Sequence, residues 1–427
     1  SRELLQSARA RCESSGAGAE ETSQEAFALQ ALSWRLVRLR GETLEMHSAL
    51  EAGRAVFARF LATWLDTPLL SGGVGFLQSA WRNQLLGEWL QLQLGVLGPE
   101  AGARAVAENL LRVQACGTLT RALRAPSVGL EEVQAELLAG GRGALLWVPG
   151  RESSLVIAVG EREVSSFVLA PFHEQQRARQ AFEEAALRAL TGEAEHALAA
   201  AVERATQVFL PAPLWLEIAS WSEIVVVGAE GAGLFGFEAL EPEPGHPLGN
   251  IRAVSHLPSL PAGVALARAA AAEPKVRAGI VLVAPAGAGS SPSHGTLPSL
   301  PFDREHAERL GALYGTSSVL EGPAATRRAL RSPSFAGARA VCFVAHGLFD
   351  PARERPAGLM LAGGEELWSE GVEELSVPPL VSLLACGAGR GPLRRGDDGR
   401  AHLGAAFLRA GARTVVLPQA DLDFRLG

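Results

Sequence analysis

Apolar and charged residues alternate with a helical period over the first third of the chain. Apolar side chains recur at spacings of three and four residues between charged ones over 26–65 and 78–97. Pro68 and the glycine-rich stretch 72–75 interrupt this pattern. The pattern predicts an α-helical region over residues 1–138. Four of its tryptophans are expected to pack between helices, namely Trp34, Trp64, Trp81 and Trp89.

Near residue 144 the spacing of the apolar residues changes from a pattern typical of helices to one typical of strands. The short β-type runs lie at 144–148, 155–159 and 163–169, with a hairpin turn predicted at 160–162. Helical segments follow at 173–191 and 193–208, and further strands at 224–227 and 252–255. The β-branched run at 224–227 is typical of a buried parallel strand.

From residue 278 strands and helices alternate. The predicted elements are strands at 278–284 and 318–320, helices at 303–313 (with Asp303 as cap) and from 326, strands ending in His346 and Cys386, a helix at 401–410 and a strand at 414–417. Residues 285–301, rich in Gly, Ser and Pro, predict a mobile loop. The predicted fold class is therefore α/β, a mostly parallel sheet flanked by helices and preceded by the helical region.

Composition and charge narrow the class of protein. The chain of 427 residues is 48% hydrophobic and 20% charged, which is typical of a globular protein of more than one domain. No apolar stretch reaches the length of a membrane span and no signal segment opens the chain, so a cytoplasmic protein with no membrane contact is expected. The net charge of −7 and the lack of a basic stripe argue against direct nucleic-acid binding. The four cysteines show no metal-ligand spacing, so no metal is expected.

Two apolar runs each end in a chemically reactive side chain followed by glycine. The run 341–345 leads to His346-Gly347, and the run 380–385 leads to Cys386-Gly387. Parallel strands present their last residues at the carboxyl edge of the sheet, where open α/β folds keep their sites. Consecutive strands would bring an imidazole and a thiol together there, as nucleophilic cysteine catalysis requires.

This pattern resembles the caspase-like cysteine peptidases, and the bacterial CHAT domain most. Three further segments are similar to that family: 234–240 to its turn, 255–260 to its next strand and helix start, and 404–417 to its helix and strand after the cysteine. The similarity covers roughly residue 141 to the end. The resemblance implies that Cys386 is the nucleophile and His346 the proton shuttle of a catalytic dyad. The backbone N–H groups of Gly347 and Cys386 would bind the oxyanion, with no cofactor and no third catalytic side chain.

The resemblance also implies a domain organisation. Residues 139–427 would form the CHAT domain, with a catalytically silent half at 139–272 and a catalytic half at 273–427. The chain starts at Ser1 rather than Met and stops at Gly427, so we expect a piece of a longer protein with a C-terminally incomplete catalytic half. The helical region 1–138 shows no clear period of about 34 residues, so tetratricopeptide repeats remain only an alternative for it.

The expected function is cleavage of peptide bonds in a protein substrate. The family implies regulation by an activating protein or complex, recruited through the helical region, in a bacterial defence or signalling pathway. An inactive pseudo-protease that serves as an interaction scaffold is the alternative. Two departures from the family pattern favour it, because Leu384 stands where Ser is usual and Pro418 follows Leu417 where Trp is usual. The expected early end of the catalytic half favours it as well.

Several other residues invite a chemical interpretation that the sequence does not favour. Cys342 shares a strand face with His346 by alternation and is expected in the core. His294-Gly295 lies in a Pro/Ser-rich stretch and is interpreted as a decoy. Because Leu384 stands where arginine-specific relatives carry Asp, a basic P1 preference is not favoured, although Asp421 or Asp423 offers a charge. The loop 387–400 is expected to be a solvated surface loop, with an activation loop as the alternative.

A glycine-rich stretch after the strand at 224–227 resembles the glycine motif of dinucleotide-binding folds. Residues 228–236 contain G-x-G-x-x-G. In one alignment Glu230 takes the second glycine position, where its carboxylate would repel a pyrophosphate. In the other, Pro242 and Pro244 would soon end the following helix. The next strand is expected to end before His256 with no acidic residue for a ribose, so nucleotide binding is not favoured.

Overall fold

The computed structural model divides the chain into two compact units. One comprises the described residues up to 265, and the other comprises the described residues from 266 onwards. The structure describes residues 19–66, 86–115, 127–190, 195–227, 236–272, 279–285, 289–291, 293–300, 304–350, 357–386 and 403–418. The predicted domain boundaries at 138/139 and 272/273 stay predictions.

The first unit opens with helices. They are α1 (Ala19–Arg40), α2 (Thr43–Asp66), α3 (86–97), α4 (Pro99–Ala115) and α5 (Leu130–Glu136). The helical pattern over 26–65 corresponds to two helices, because the chain breaks at Gly41. Gly41 adopts φ +70°, and its N–H donates to the carbonyls of Val37 and Arg38, which ends α1 with a left-handed glycine. The predicted break at Pro68 and 72–75 lies outside the described residues.

Trp34 on α1 and Trp89 on α3 are buried together, as the sequence predicts for these two tryptophans. Their ring centroids are 4.9 Å apart. Gly53 on α2 packs directly on this pair, since a Cβ there would lie 2.4 Å from a ring carbon of Trp89. Helix α2 therefore approaches the two indoles at the one position where it carries no side chain. Nothing is described for the side chains of Trp64 and Trp81.

The first sheet combines an antiparallel meander with parallel strands. Its elements, with the connecting helices, are β1 (Arg142–Val148), β2 (Ser154–Val159), β3 (Val164–Leu169), α6 (Phe172–Leu190), α7 (Glu195–Phe209), α8 (Ala212–Ile218), β4 (Glu223–Val227), α9 (Leu248–Ile251), β5 (Ala253–Leu257) and α10 (Leu260–Ala272). The strand order is β3-β2-β1-β4-β5, and β1, β4 and β5 run parallel. The predicted hairpin at 160–162 is present, with Gly160 N–H donating to Glu163 O.

Both faces of this sheet are buried. Leu146 and Val148 on β1 join a core with the N-terminal helices, including Trp34 and Trp89. Their neighbours Leu145 and Trp147 point to the opposite face and pack with the helices α6, α7 and α8. The N-terminal helices and the first sheet thus share one hydrophobic core.

The second unit is built on an all-parallel sheet. Its elements are β6 (Ile280–Ala284), β7 (Gly289–Ser291), β8 (Gly295–Leu297), α11 (Arg304–Tyr314), β9 (Ser317–Glu321), α12 (Pro333–Ala336), β10 (Ala340–Val344), β11 (Gly347–Phe349), β12 (Ala357–Met360), β13 (Glu366–Trp368), α13 (Ser369–Glu373), β14 (Leu380–Leu384), α14 (Leu403–Arg409) and β15 (Thr414–Val416). The parallel sheet has the order β15-β14-β10-β6-β9, and helices cover both of its faces.

Two small sheets were not predicted. Strands β11, β12 and β13 form an antiparallel sheet between β10 and β14 in the chain, so the strands that precede His346 and Cys386 are neighbours in space but not consecutive in sequence. Strands β7 and β8 form a hairpin inside the predicted loop 285–301. The Gly, Ser and Pro residues of that segment are typical of a loop, so its composition carries no strand signal.

Two local predictions are corrected by the structure. No α-helix starts at 326: a 3₁₀ turn at Ala329–Arg331 is followed by α12, which begins at Pro333 because proline disfavours helical geometry at Ser332. Strand β5 does not end before His256 but includes it. Most of the glycine-rich stretch 228–236 and the cap Asp303 lie outside the described residues.

Within the described residues, no helix combines the length and the apolar character needed to cross a bilayer.

We predict that Gly53→Ala destabilises the protein although alanine is the better helix former. Helix propensity alone would favour alanine by about 1 kcal/mol. Forcing a methyl group against Trp89 should outweigh this and lower the free energy of unfolding by about 1–2 kcal/mol net. Urea denaturation followed by tryptophan fluorescence measures the effect. The matched control is Ala52→Gly at the neighbouring exposed position, which should lose about 1 kcal/mol from propensity alone. A Gly53→Ala variant more stable than the parent would contradict the packing.

Candidate functional site

The pairing of β10 with β14 places His346 and Cys386 at one edge of the parallel sheet. The register matches Val344 with Leu384, and Ala345 N–H donates to Leu384 O at 3.3 Å. His346 and Cys386 each follow their paired residue by two positions, so both chains reach these residues side by side. Both are half-buried, and Cys386 carries a thiol. The structure thus brings the two sequence-predicted residues to the same edge.

Gly347 packs against the main chain of Cys386. A Cβ at Gly347 would lie 1.8 Å from Cys386 O and 2.9 Å from its carbonyl carbon. No other residue fits this approach without moving one of the two segments, since real Cβ atoms do not come so close to main-chain atoms. The glycine after the histidine is therefore required by contact with the cysteine segment itself.

The N–H of Gly347 points away from strand β12. Hydrogen-bonded and non-hydrogen-bonded pairs alternate along an antiparallel ladder. Met360 N–H donates to His346 O at 2.9 Å, so the next pair, Gly347 with Leu359, is a non-hydrogen-bonded one. Strand β11 is also an edge of its small sheet. The Gly347 N–H is consequently directed to the outer side of that sheet.

The imidazole of His346 is oriented by a main-chain carbonyl. Its Nε2 lies 2.7 Å from Pro298 O, one residue after the end of β8. A carbonyl oxygen can only accept, so Nε2 carries the proton and donates. In the neutral imidazole the nitrogen that accepts a proton is then Nδ1. The sequence could not reveal the Pro298 carbonyl as a partner of His346, because a main-chain carbonyl has no side-chain signature.

Cys342 is a core residue, as expected from its strand position. It is 5% exposed and packs with Ile280 and Leu282 on one face of the sheet. Burial raises the pKa of the Cys342 thiol, although a hydrogen bond with Ser382 acts in the opposite direction. Its thiolate population at neutral pH is accordingly smaller than that of an ordinary cysteine, which makes Cys342 a poor nucleophile.

His294, interpreted from sequence as a decoy, lies at the turn of the β7–β8 hairpin. Its ring contacts Ser293 and the main chain of Phe349. Leu384 is 41% exposed at the last position of β14, so an apolar side chain stands two residues before Cys386. The loop 387–400, Asp421 and Asp423 lie outside the described residues.

Among the described residues, no group of three or more His, Cys, Asp or Glu side chains comes together in a way that could hold a metal ion.

A parallel sheet with His-Gly and Ala-Cys after two neighbouring strands is the arrangement of the caspase-like, cysteine-peptidase-related domains. The sequence model of the CHAT domain matches residues 168–425, more than half of the chain. The chain therefore belongs to the CHAT domain family. No curated protein matches it.

We predict that Gly347→Ala loosens the contact between β11 and the Cys386 segment. The added methyl group cannot coexist with Cys386 O, so the two segments must separate, at a cost of about 1–3 kcal/mol. Hydrogen exchange of the main-chain amides in 343–349 and 382–386 should accelerate. The control is Gly160→Ala, where a Cβ would meet its nearest atom at 3.7 Å and exchange should stay unchanged. Unaltered exchange in Gly347→Ala would show that the segments do not touch.

Proposed function

We propose that the protein is a cysteine endopeptidase that cleaves peptide bonds in a protein substrate. The observation that carries the proposal is the in-register ending of β10 and β14, which sets His346 beside Cys386, together with the hydrogen bond that orients the imidazole. Membership of a cysteine-peptidase-related family supports the same reaction class. No cofactor is invoked.

In the proposed mechanism His346 acts through Nδ1. With Nε2–H held by Pro298 O, Nδ1 takes the proton of the Cys386 thiol, and the thiolate attacks the carbonyl carbon of the scissile peptide bond. The imidazolium then gives this proton to the leaving amine, and the C–N bond breaks to leave an acyl-enzyme. Water, deprotonated by Nδ1, hydrolyses the thioester and regenerates the thiol. The Pro298 carbonyl stabilises the imidazolium by accepting from Nε2 throughout.

We further propose that the N–H groups of Gly347 and Cys386 stabilise the oxyanion. The tetrahedral intermediate places a negative charge on the former carbonyl oxygen, and main-chain donors aimed at that position lower the barrier. The proposal is supported by the close approach of Gly347 to the Cys386 main chain and by the direction of the Gly347 N–H, away from β12.

The regulatory context is a proposal that rests on the family alone. We propose that an activating protein or complex binds the helical region 1–138 and that the peptidase serves a bacterial defence or signalling pathway in the cytoplasm. The alternative function is an inactive scaffold, favoured by the unusual Leu384 and Pro418. The experiment below distinguishes the two.

We predict that Cys386 reacts with a thiol-directed peptide electrophile far faster than Cys342, and that the difference depends on His346. His346→Ala should slow labelling of Cys386 by at least about a hundredfold, the scale of general-base catalysis. Mass spectrometry of digested protein assigns the label to each cysteine. Cys342→Ala is the matched control, because it removes a buried thiol with a raised pKa and should leave Cys386 labelling unchanged.

The same variants are then tested for cleavage of a proteome-derived peptide library, with and without candidate activators from the same genome. Cleavage by the parent protein and its loss in Cys386→Ala and His346→Ala would support the peptidase, and the cut sites would define the P1 preference. Labelling of Cys386 that is slow and independent of His346, without cleavage, would overturn the peptidase in favour of the scaffold.

A further inference from the structure

The β7–β8 hairpin is attached to the small antiparallel sheet by a carboxylate. Glu366 on β13 accepts hydrogen bonds through Oε1 from the N–H of Ser293 at 2.9 Å and from its hydroxyl at 2.7 Å. Its other oxygen accepts from the indole N–H of Trp368 at 2.9 Å. The carboxylate of Glu366 therefore joins the turn of the β7–β8 hairpin to strand β13 by charge-assisted hydrogen bonds.

His294 extends the attachment to strand β11. Because the Ser293 hydroxyl donates its proton to Glu366, the bond of 2.6 Å between Ser293 Oγ and His294 Nδ1 has the imidazole as donor. Nε2 lies 3.2 Å from the carbonyl oxygen of Phe349 and 3.3 Å from its main-chain nitrogen, so the ring engages the main chain at the last residue of β11. Both ring nitrogens are thus engaged in holding the hairpin, which is why His294 is not a second catalytic base.

An apolar contact lies beside these hydrogen bonds. Leu297 on β8 packs against a buried cluster made by Leu348, Met360 and Trp368. The ring of His294 also lies 6.3 Å from that of Trp368. The hairpin is accordingly held to the small sheet by polar contacts at its turn and by an apolar side chain one residue before Pro298.

These contacts surround the hydrogen bond that orients His346. Pro298 follows Leu297 directly, and His346 precedes β11, whose last residue is Phe349. The hairpin segment and the β11 segment are therefore joined twice, by His294 with Phe349 and by Pro298 O with His346 Nε2. If the first junction opens, the carbonyl loses the support that keeps it on the imidazole.

We infer that Ser293, His294 and Glu366, here named the hairpin clamp, are positioning residues for His346. The clamp rests on the proposed function, because it acts by fixing which nitrogen of His346 faces the thiol. It does not contact the reacting atoms. Ser293 and His294 are exposed and Glu366 is half-buried, so their loss should cost little folding free energy, about 1 kcal/mol per bond, and the variants should fold.

The test uses the full chain. His294→Ala and Glu366→Ala each remove a clamp side chain, and Ser293→Ala is a milder change. Glu366→Gln is the conservative variant, because its amide oxygen can still accept a hydrogen bond from Ser293. Glu374→Gln is the matched control, since it removes a carboxylate that pairs with Arg331 elsewhere in the same unit. Nitrogen NMR of labelled histidines, assigned with His346→Ala, reports the tautomer of His346 directly. Labelling of Cys386 and, where cleavage occurs, kcat and KM are measured in parallel.

We expect the parent protein to hold His346 with the proton on Nε2. His294→Ala and Glu366→Ala should shift it towards a mixture of tautomers and slow Cys386 labelling by about ten- to a hundredfold, with kcat lowered and KM unchanged. Ser293→Ala should give a smaller shift in the same direction and stands in for any variant that fails to fold. Glu366→Gln, whose single amide oxygen can accept from Ser293 but not from Trp368 as well, should lie between the parent and Glu366→Ala, and Glu374→Gln should match the parent.

The outcomes separate the clamp from the peptidase itself. A parent-like His346 tautomer in His294→Ala, Glu366→Ala and Ser293→Ala would overturn the clamp, whatever the activity. If Cys386 in these variants is labelled at the parent rate and the labelling still depends on His346, the clamp would be overturned and the proposed peptidase activity would be retained. If the labelling of Cys386 in the parent protein does not depend on His346, the proposed peptidase would be overturned. The His346 tautomer in the clamp variants would still decide whether the clamp positions the imidazole ring.

Discussion

The pairing of Val344 with Leu384 determines where His346 and Cys386 lie in the candidate site. A shift of β14 by one residue relative to β10 would send Cys386 to the other face of the sheet and away from His346, because side chains alternate along a strand. The register is held from both faces: Val341, Phe343 and Leu383 are buried on one side, and Cys342 and Ala340 on the other. The contact of Gly347 with Cys386 O depends on the same register. The core of the second unit is therefore also what aligns its site.

The site is assembled from three layers of support. The parallel sheet delivers His346 and Cys386 to one edge, the small sheet β11-β12-β13 carries the chain away from His346, and the β7–β8 hairpin provides the carbonyl that orients the imidazole. The supports differ in strength. The central strand β10 is largely buried, whereas the hairpin is held by exposed hydrogen bonds and one apolar side chain. The orientation of the ring is thus the most easily perturbed part of the arrangement.

The elements that the sequence predicts well are those with a strong local signal. The apolar runs before His346 and Cys386 and the β-branched run at 224–227 form parallel strands, because continuous apolar runs are typical of parallel sheets. The β7–β8 hairpin escaped prediction, since its Gly, Ser and Pro residues indicate a loop and only distant contacts, such as that of Leu297, hold it in place. The apolar period over 26–65 does not reveal the end of α1, which depends on the left-handed conformation of one residue, Gly41. The carbonyl of Pro298 could not be found from side-chain chemistry at all.

The use of a main-chain oxygen to orient His346 affects how the protein can diverge over evolution. A side chain in that role would be lost by one substitution, whereas every amino acid supplies a carbonyl, so position 298 is free to drift in identity as long as the path of the chain is kept. Insertions or deletions near the hairpin are therefore the changes that would remove this support. A relative that keeps the equivalents of His346 and Cys386 but has a hairpin of another length would match the sequence pattern of a cysteine peptidase. It would nevertheless lack the hydrogen bond that orients the imidazole.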